Sequence, residues 1–268
     1  VDVFTDTPYL GNPVAVVLSA DGLSDERMQL FARWTNLSET TFVLAPRAGG
    51  ADYLVRIFTP TRELPFAGHP TLGTCHAWLE AGGRPGRPDA IVQECQAGLV
   101  KVRPTEAGLA FAAPPQVRSG PVEEPVAEQV ARALNITRAD IVDIAWADNG
   151  PGWVAVLLDS AKAVLAIRPG AVDLDIGVAG PYPDGSPEAL EVRAFSPQVT
   201  SVEDPVTGSL NASLGQWLLG AGRVTAPYVA SQGTVMGRRG RVHVSRDGDG
   251  QVWVGGGTIT CVSGTVEL

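Results

Sequence analysis

Cysteine and histidine are scarce in this chain, with three of each in 268 residues. Cys75, Cys95 and Cys261 are odd in number and widely spaced, which argues against a disulfide framework or a zinc-type cluster. His69, His76 and His243 match no ligand spacing of a known metal site, so no metal is expected. Positive charge is also short: 20 Lys and Arg stand against 29 Asp and Glu, a net charge of −9. That excludes a nucleic-acid partner held by clustered cations. The one basic run, Gly237 to Arg241 ("GRRGR"), reads as a turn. No apolar run reaches the ~18 residues a membrane span needs. No secretory leader is recognisable, so a cytoplasmic protein with no membrane partner is expected. The glycine-rich "WVGGGTIT" is followed by no helical pattern and is not a dinucleotide fingerprint. A P-loop and a serine-centred nucleophile elbow are missing too.

What the chain does have is a repeat. "RIFTPTRELPFAG", Arg56 to Gly68, reads like "RAFSPQVTSVEDPVTG", Arg193 to Gly208. Both follow Arg-x-Phe-(Thr/Ser)-Pro and then Glu-x-Pro-x-x-Gly, with three extra residues in the second copy. A polar residue comes next, His69 in one copy and Ser209 in the other, and then a helical pattern ending in Ala-Gly. Upstream, the stretch from Val1 ("VDVFTDTPYLGNPVAVVL") resembles that from Val142 ("VDIAWADNGPGWVAVLL"). Downstream, Gln96 parallels Gln232. Chance likeness between Gly/Pro-rich loops is the alternative, but three stretches agree in order. Duplication of a domain of ~130 residues is the expected origin.

Within each half, short strands outnumber helices and do not alternate with them. "NPVAVVL", "TTFVLA", "YLVRIF", "AIVQE", "GLVKVR" and "GLAFAA" read as strands, as do "VAVLLD", "LEVRAF", "RVHVS", "QVWVGG" and "TITCVSGTVEL" later on. "SDERMQLFARWTN", capped by Ser24, and "VAEQVARALN" read as helices. The class is α+β rather than a doubly wound sheet. The Pro/Gly/Glu-rich stretch Ala113 to Pro125 is the expected linker, giving domains 1–117 and 118–268.

The chemistry-bearing residues gather at the two helix starts. Pro70 suits a first helical position, so His69 should sit at a helix mouth beside unpaired N–H groups, an address for an anion. It could be a donor, a proton shuttle or merely a capping residue. In "EDPVTGSLNAS", Asp204 precedes Pro205 and is biased to extended geometry. Thr207, Gly208 and Ser209 supply hydroxyls and backbone donors, or simply a good cap. Glu39, in "NLSETTFVL", could be a general acid/base if partly buried. Alternatively, Asn36-x-x-Glu39 is a capping box. If the two halves face each other, both helix mouths would aim at one carboxylate in the cleft between them.

These motifs resemble the PhzF family, whose named member is the phenazine-biosynthesis isomerase. The residues that carry the likeness are "VDVFTDTPYLGNPVAVVL", "NLSETTFV", "FTPTRELPFAGHPTLG" and "EDPVTGS", in that order along nearly the whole chain. The resemblance implies a diaminopimelate epimerase-like fold: two pseudo-symmetric domains, each a mixed sheet rolled around a central helix. It further implies a cofactor-free isomerase, usually a homodimer, acting on a small carboxylate such as trans-2,3-dihydro-3-hydroxyanthranilate. By the same resemblance Glu39 is the proton-shuttling glutamate, His69 the active-site histidine and Asp204 the active-site aspartate. Gly68, Gly208 and Ser209 hold the substrate carboxylate, and Asn12 matches a substrate-side asparagine of the epimerase relatives. The epimerases use two cysteine bases near the helix-mouth glycines. Here those neighbourhoods, "PFAGH" and "EDPVTG", hold no thiol. An epimerase of another amino acid and a non-catalytic anion-binding protein are the alternatives.

Overall fold

The computed structural model describes residues 1–197 and 202–268. The chain forms two compact units. Unit 1 combines Val1–Ala112 with Gly255–Leu268, and unit 2 is Ala113–Val254.

Unit 1 runs β1 (Asp2–Val3), β2 (Asn12–Val17), α1 (Asp25–Thr35), β3 (Glu39–Leu44), β4 (Tyr53–Phe58), β5 (Glu63–Leu64), α2 (Gly68–Glu80), β6 (Ile91–Cys95), β7 (Gly98–Thr105) and β8 (Gly108–Ala112). Unit 2 runs β9 (Arg118–Pro121), α3 (Glu124–Leu134), β10 (Asp143–Asp148), β11 (Val154–Leu157), α4 (Ala161–Ala166), β12 (Ile176–Pro181), β13 (Leu190–Phe195), β14 (Glu203–Asp204), α5 (Gly208–Gly220), β15 (Tyr228–Gln232) and β16 (Gly240–Arg246). The chain returns through β17 (Val252–Gly256), and β18 (Thr258–Ile259) pairs antiparallel with β1.

The two sheets repeat one pairing pattern. In unit 1, β2 is parallel to β3, β3 antiparallel to β4, β4 antiparallel to β5 and parallel to β6. In unit 2 the same relations join β11, β12, β13, β14 and β15. Each sheet wraps one helix. The first eight residues of α2 are all buried, and α2 touches β1, β2, β3, β6, β8 and β18. In unit 2, α5 takes that place against β10, β12 and β16. A helix apolar all round belongs in an interior rather than at a surface. Close approach is secured by glycine: a Cβ at Gly73 would overlap the Val14 side chain, and one at Gly177 would overlap Leu210. On the outer faces, α1 packs Met28 and Ala32 against Phe42 and Phe58, joined by Leu268. In unit 2, Val130, Leu134 and Val164 pack against Val154, Val156, Ile176, Val178 and Phe195. The fold is therefore α+β, each unit a mixed sheet around a central helix, as the resemblance implies.

The repeated motif has a structural reason. Its arginine and its glutamate form a two-pronged pair in both copies. Arg56 Nε and Nη2 donate to the Glu63 carboxylate at 2.8 and 2.6 Å. Arg193 does the same to Glu203 at 2.8 and 2.7 Å. The pair locks the short strand before each central helix against its neighbour, Phe58 opposite Glu63 and Phe195 opposite Glu203. The extra residues of the second copy fall at 198–201, outside the described residues.

Several details differ from the sequence reading. Asp2 lies opposite Pro13, whereas Asp143 lies opposite Leu157, deeper in its hairpin. The matching Val-Asp pairs thus occupy different levels. α4, a six-residue helix capped by Ser160, is too short to show a clear period. Of "TITCVSGTVEL" only Thr258–Ile259 is strand. The proposed linker contains β9 and the start of α3. Asn36 is not the start of a helix but the left-handed C-cap of α1, with φ 54°, so it forms no capping box with Glu39.

Candidate active site

Two of the five α-helix starts among the described residues are closed by their own side chains. Ser24 accepts from Arg27 N at the start of α1, and Ser160 accepts from Ala163 N at the start of α4. α3 carries Pro125 in its first turn, which removes one N–H. Like α3, the two central helices receive no such cap, α2 beginning after Ala67 and α5 after Thr207. The first backbone N–H groups of a helix have no intrahelical partner, and the helix dipole adds positive potential there. Two uncapped helix mouths are two anion addresses. Pro70 stands third in α2 rather than first, still within the turn where its missing N–H breaks no helical bond.

At the α2 mouth the structure brings Asn12, Glu39 and His69 together. β2 begins with Asn12 and β3 with Glu39, and their parallel pairing sets Glu39 opposite Val14. His69 follows Gly68 in the first helical turn and is 4% exposed. Its Nδ1 is 3.3 Å from Asn12 Nδ2, and its Nε2 is 3.2 Å from Glu39 Oε2. Burial pushes the imidazole down to about 3, only partly opposed by a hydrogen bond with the Pro13 backbone. At neutral pH the imidazole is therefore neutral. Nδ1 thus faces the Asn12 amide and Nε2 faces Glu39. Asn12 is fully buried, so it reaches the site through His69.

Thiols take no part here. Cys75 is fully buried within α2, and burial pushes its thiol up to about 12. Burial raises the Cys95 thiol as well. His76 also lies in α2, but it engages Thr258, Thr260 and Glu80 at the other end of the helix.

At the α5 mouth stand Asp204, Gly208 and Ser209. Thr207 Oγ1 donates to Asp204 Oδ2, and Gln232 Nε2 donates to Thr207 Oγ1 at 3.0 Å and to the Asp204 carbonyl at 3.2 Å. Gln232 Oε1 accepts from Thr207 N at 3.0 Å and from Asn211 Nδ2 at 2.8 Å. Asp204 is thus fixed to the helix start through Thr207 and Gln232. Ser209 is held by the β10–β11 connection: Trp153 Nε1 donates to its hydroxyl at 3.2 Å and Asn149 Nδ2 to its carbonyl at 2.9 Å.

Sequence reading named neither Trp153 nor Asn149 as a site residue, because no local motif marks a side chain that acts across 56 or 60 residues of chain. It also paired Gln232 with Gln96, which is exposed in the β6–β7 turn. The buried counterpart is Gln93, whose Nε2 donates to Thr71 Oγ1 at the first turn of α2. The period-2 rule of strands would have separated the two glutamines.

Comparison with known proteins agrees with this architecture. Over 264 residues the chain is 35% identical to the trans-2,3-dihydro-3-hydroxyanthranilate isomerase of Pseudomonas aeruginosa, covering 94% of this chain and 90% of that protein. It is 36% identical to "Antisense-enhancing sequence 1" of Schizosaccharomyces pombe, covering 98% and 96%. The crystal structure of a Bacillus anthracis phenazine biosynthesis protein of the PhzF family superposes with a TM-score of 0.78 at 25% identity, covering 95% and 93%. The model of the phenazine biosynthesis-like PhzC–PhzF proteins matches residues 1–264, and the chain belongs to that family of isomerase-like proteins.

Proposed function

We propose that the protein is a cofactor-independent isomerase that moves a proton on a small carboxylate-bearing substrate such as trans-2,3-dihydro-3-hydroxyanthranilate. The observation that carries this reading is the Glu39–His69 pair, 3.2 Å apart beside an uncapped helix start. Binding an anion needs only the helix mouths. A carboxylate set against a neutral, buried imidazole adds a base to them. In this reading Glu39 takes a proton from an acidic C–H and returns it to another carbon on the same face, so the protein ends unchanged. His69 supplies an N–H to the charge that develops as the proton leaves, and Asn12 holds the ring in place. Asp204 orients the amino or hydroxyl substituent. The N–H groups of Gly68, Gly208 and Ser209, with the Ser209 hydroxyl, hold the substrate carboxylate. Acid–base catalysis of this kind is worth about 10²–10⁴-fold, and positioning adds more. A homodimer belongs to the same reading and is checked by analytical ultracentrifugation.

The test is proton NMR in D₂O with trans-2,3-dihydro-3-hydroxyanthranilate, using the native protein and Glu39→Gln. Consumption with deuterium incorporation by the native protein alone supports the reading. An epimerase would exchange at a different carbon, and an anion-binding protein would exchange nothing. Equal rates in the two proteins would remove Glu39 from the mechanism.

A further inference from the structure

Ser209 meets Trp153 in a way that decides what its hydroxyl can do. A serine hydroxyl has one proton to give and two lone pairs to accept with, whereas an indole N–H only gives. Trp153 Nε1, 3.2 Å away, therefore occupies a lone pair of Ser209 Oγ and leaves the Ser209 proton to point elsewhere. No acceptor for that proton occurs among the described residues. The indole is a fixed donor, because Trp153 is only 4% exposed. Its position is set by the turn before it, where Asp148 Oδ1 accepts from both Gly150 N and Gly152 N at 2.7 Å. The same turn supplies Asn149, which holds the Ser209 carbonyl. Side chain and backbone of Ser209 are thus clamped by one short connection. Unit 1 treats its own helix-mouth residue similarly, with Asn12 at the entrance of β2 presenting an amide to His69.

We infer that Trp153 is a positioning residue that presets the Ser209 hydroxyl as a proton donor to a carboxylate. The inference rests on the reading of Ser209 as a carboxylate-binding group. A ligand acceptor meets a hydroxyl that is already turned outward, and it need not compete with an internal acceptor. The indole also polarises the O–H it accompanies, since linked hydrogen bonds strengthen one another.

The test is a double-mutant cycle on the full chain: native, Trp153→Phe, Ser209→Ala and the double variant. KM and kcat for trans-2,3-dihydro-3-hydroxyanthranilate are read, together with the Kd for 2-aminobenzoate as a stable carboxylate probe. Ser209→Ala should raise KM and Kd about tenfold, the loss of one hydrogen bond to a charged group. Trp153→Phe should raise both about three- to tenfold with kcat altered less than twofold. The double variant should match Ser209→Ala alone, because Trp153 acts only through the hydroxyl. A Trp153→Phe effect that persists in the Ser209→Ala background, or one that falls on kcat with KM unchanged, overturns the inference while leaving Ser209 in place. Ser209→Ala without effect on KM and Kd overturns the carboxylate reading of Ser209 and the inference with it. So does a native protein that neither converts the substrate nor binds the probe. If Trp153→Phe fails to fold, 3-benzothienylalanine at position 153 keeps the bicyclic ring, lacks the N–H and gives the same cycle.

Discussion

At the mouth of α2 stands His69, with Asn12 at one ring nitrogen and Glu39 at the other. At the same place in the repeat, at the mouth of α5, stands Ser209, with Trp153 on its hydroxyl and Asn149 on its carbonyl. Both helices start without a side-chain cap, and both follow an Arg–Glu pair that locks a two-residue strand. The scaffold is duplicated but the furnishing is not. One mouth has a carboxyl group and a buried imidazole. The other has a hydroxyl, an amide network and a single carboxylate tied down by Thr207. Both helix starts lack a side-chain cap, and only that of α2 sets a carboxyl group beside an imidazole.

Four experiments press on this comparison. The largest effect should come from exchanging the roles: Glu39→Gln should lower kcat by about 10²–10⁴-fold with little change in KM. Ser209→Ala should do the reverse, and steady-state kinetics of the two variants separate chemistry from binding. Next come the two arginines. The Arg193 side chain is 3% exposed and also donates to the Val164 and Ile167 carbonyls, whereas Arg56 is 20% exposed and its extra partner Asp25 lies in solvent. Arg193→Ala should destabilise by about 3–5 kcal/mol, as expected for a broken buried pair. Arg56→Ala should lose about 1–2 kcal/mol, and urea midpoints give both values.

Smaller differences are expected inside the central helices. Gly73→Ala should cost about 1–3 kcal/mol through overpacking against Val14. At Gly215 the nearest atom to a new Cβ is Val244 Cγ1 at 3.0 Å, so a small shift suffices. The gain in helix propensity from Gly215→Ala, about 1 kcal/mol, then offsets most of the crowding. Thermal unfolding of the two variants is the check. The last effect is electrostatic. His69 titrates at about 3 when folded against an ordinary value of 6.5, so between these pH values the unfolded chain binds the extra proton. Stability is therefore full above 6.5 and falls as pH drops toward 3, by at most about 1.4 kcal/mol per pH unit from this group. His69→Gln should flatten that part of the stability–pH curve, and Ser209→Ala should leave its slope as it is.

Much of this was legible in the residues because the key partners sit close together in the chain. Arg56 and Glu63 are seven apart, and Arg193 and Glu203 ten, so the clamp shows as a repeated motif. The helix starts were visible too, since Gly-His-Pro and Thr-Gly-Ser stand where clear helical patterns begin, but their lack of a side-chain cap was not. The role of Asn12 was not. It acts on His69 across 57 residues, which only the sheet brings close. The same distance in sequence hid Trp153. The hairpin register was lost for a different reason. Val-Asp-Val and Val-Asp-Ile suit any strand edge, so their likeness says nothing about the level at which they pair.

The division of the chain bears on how the protein is made. Unit 2 is one unbroken stretch, Ala113–Val254, whereas unit 1 takes its first part before that stretch and its last part, Gly255–Leu268, after it. On the ribosome the first-synthesised half is thus the second to be finished. Until residues 255–268 emerge, β1 lacks β18 as its neighbour and the α1 cluster lacks Leu268. An exposed strand edge waits through that interval, and waiting edges are where nascent chains find wrong partners.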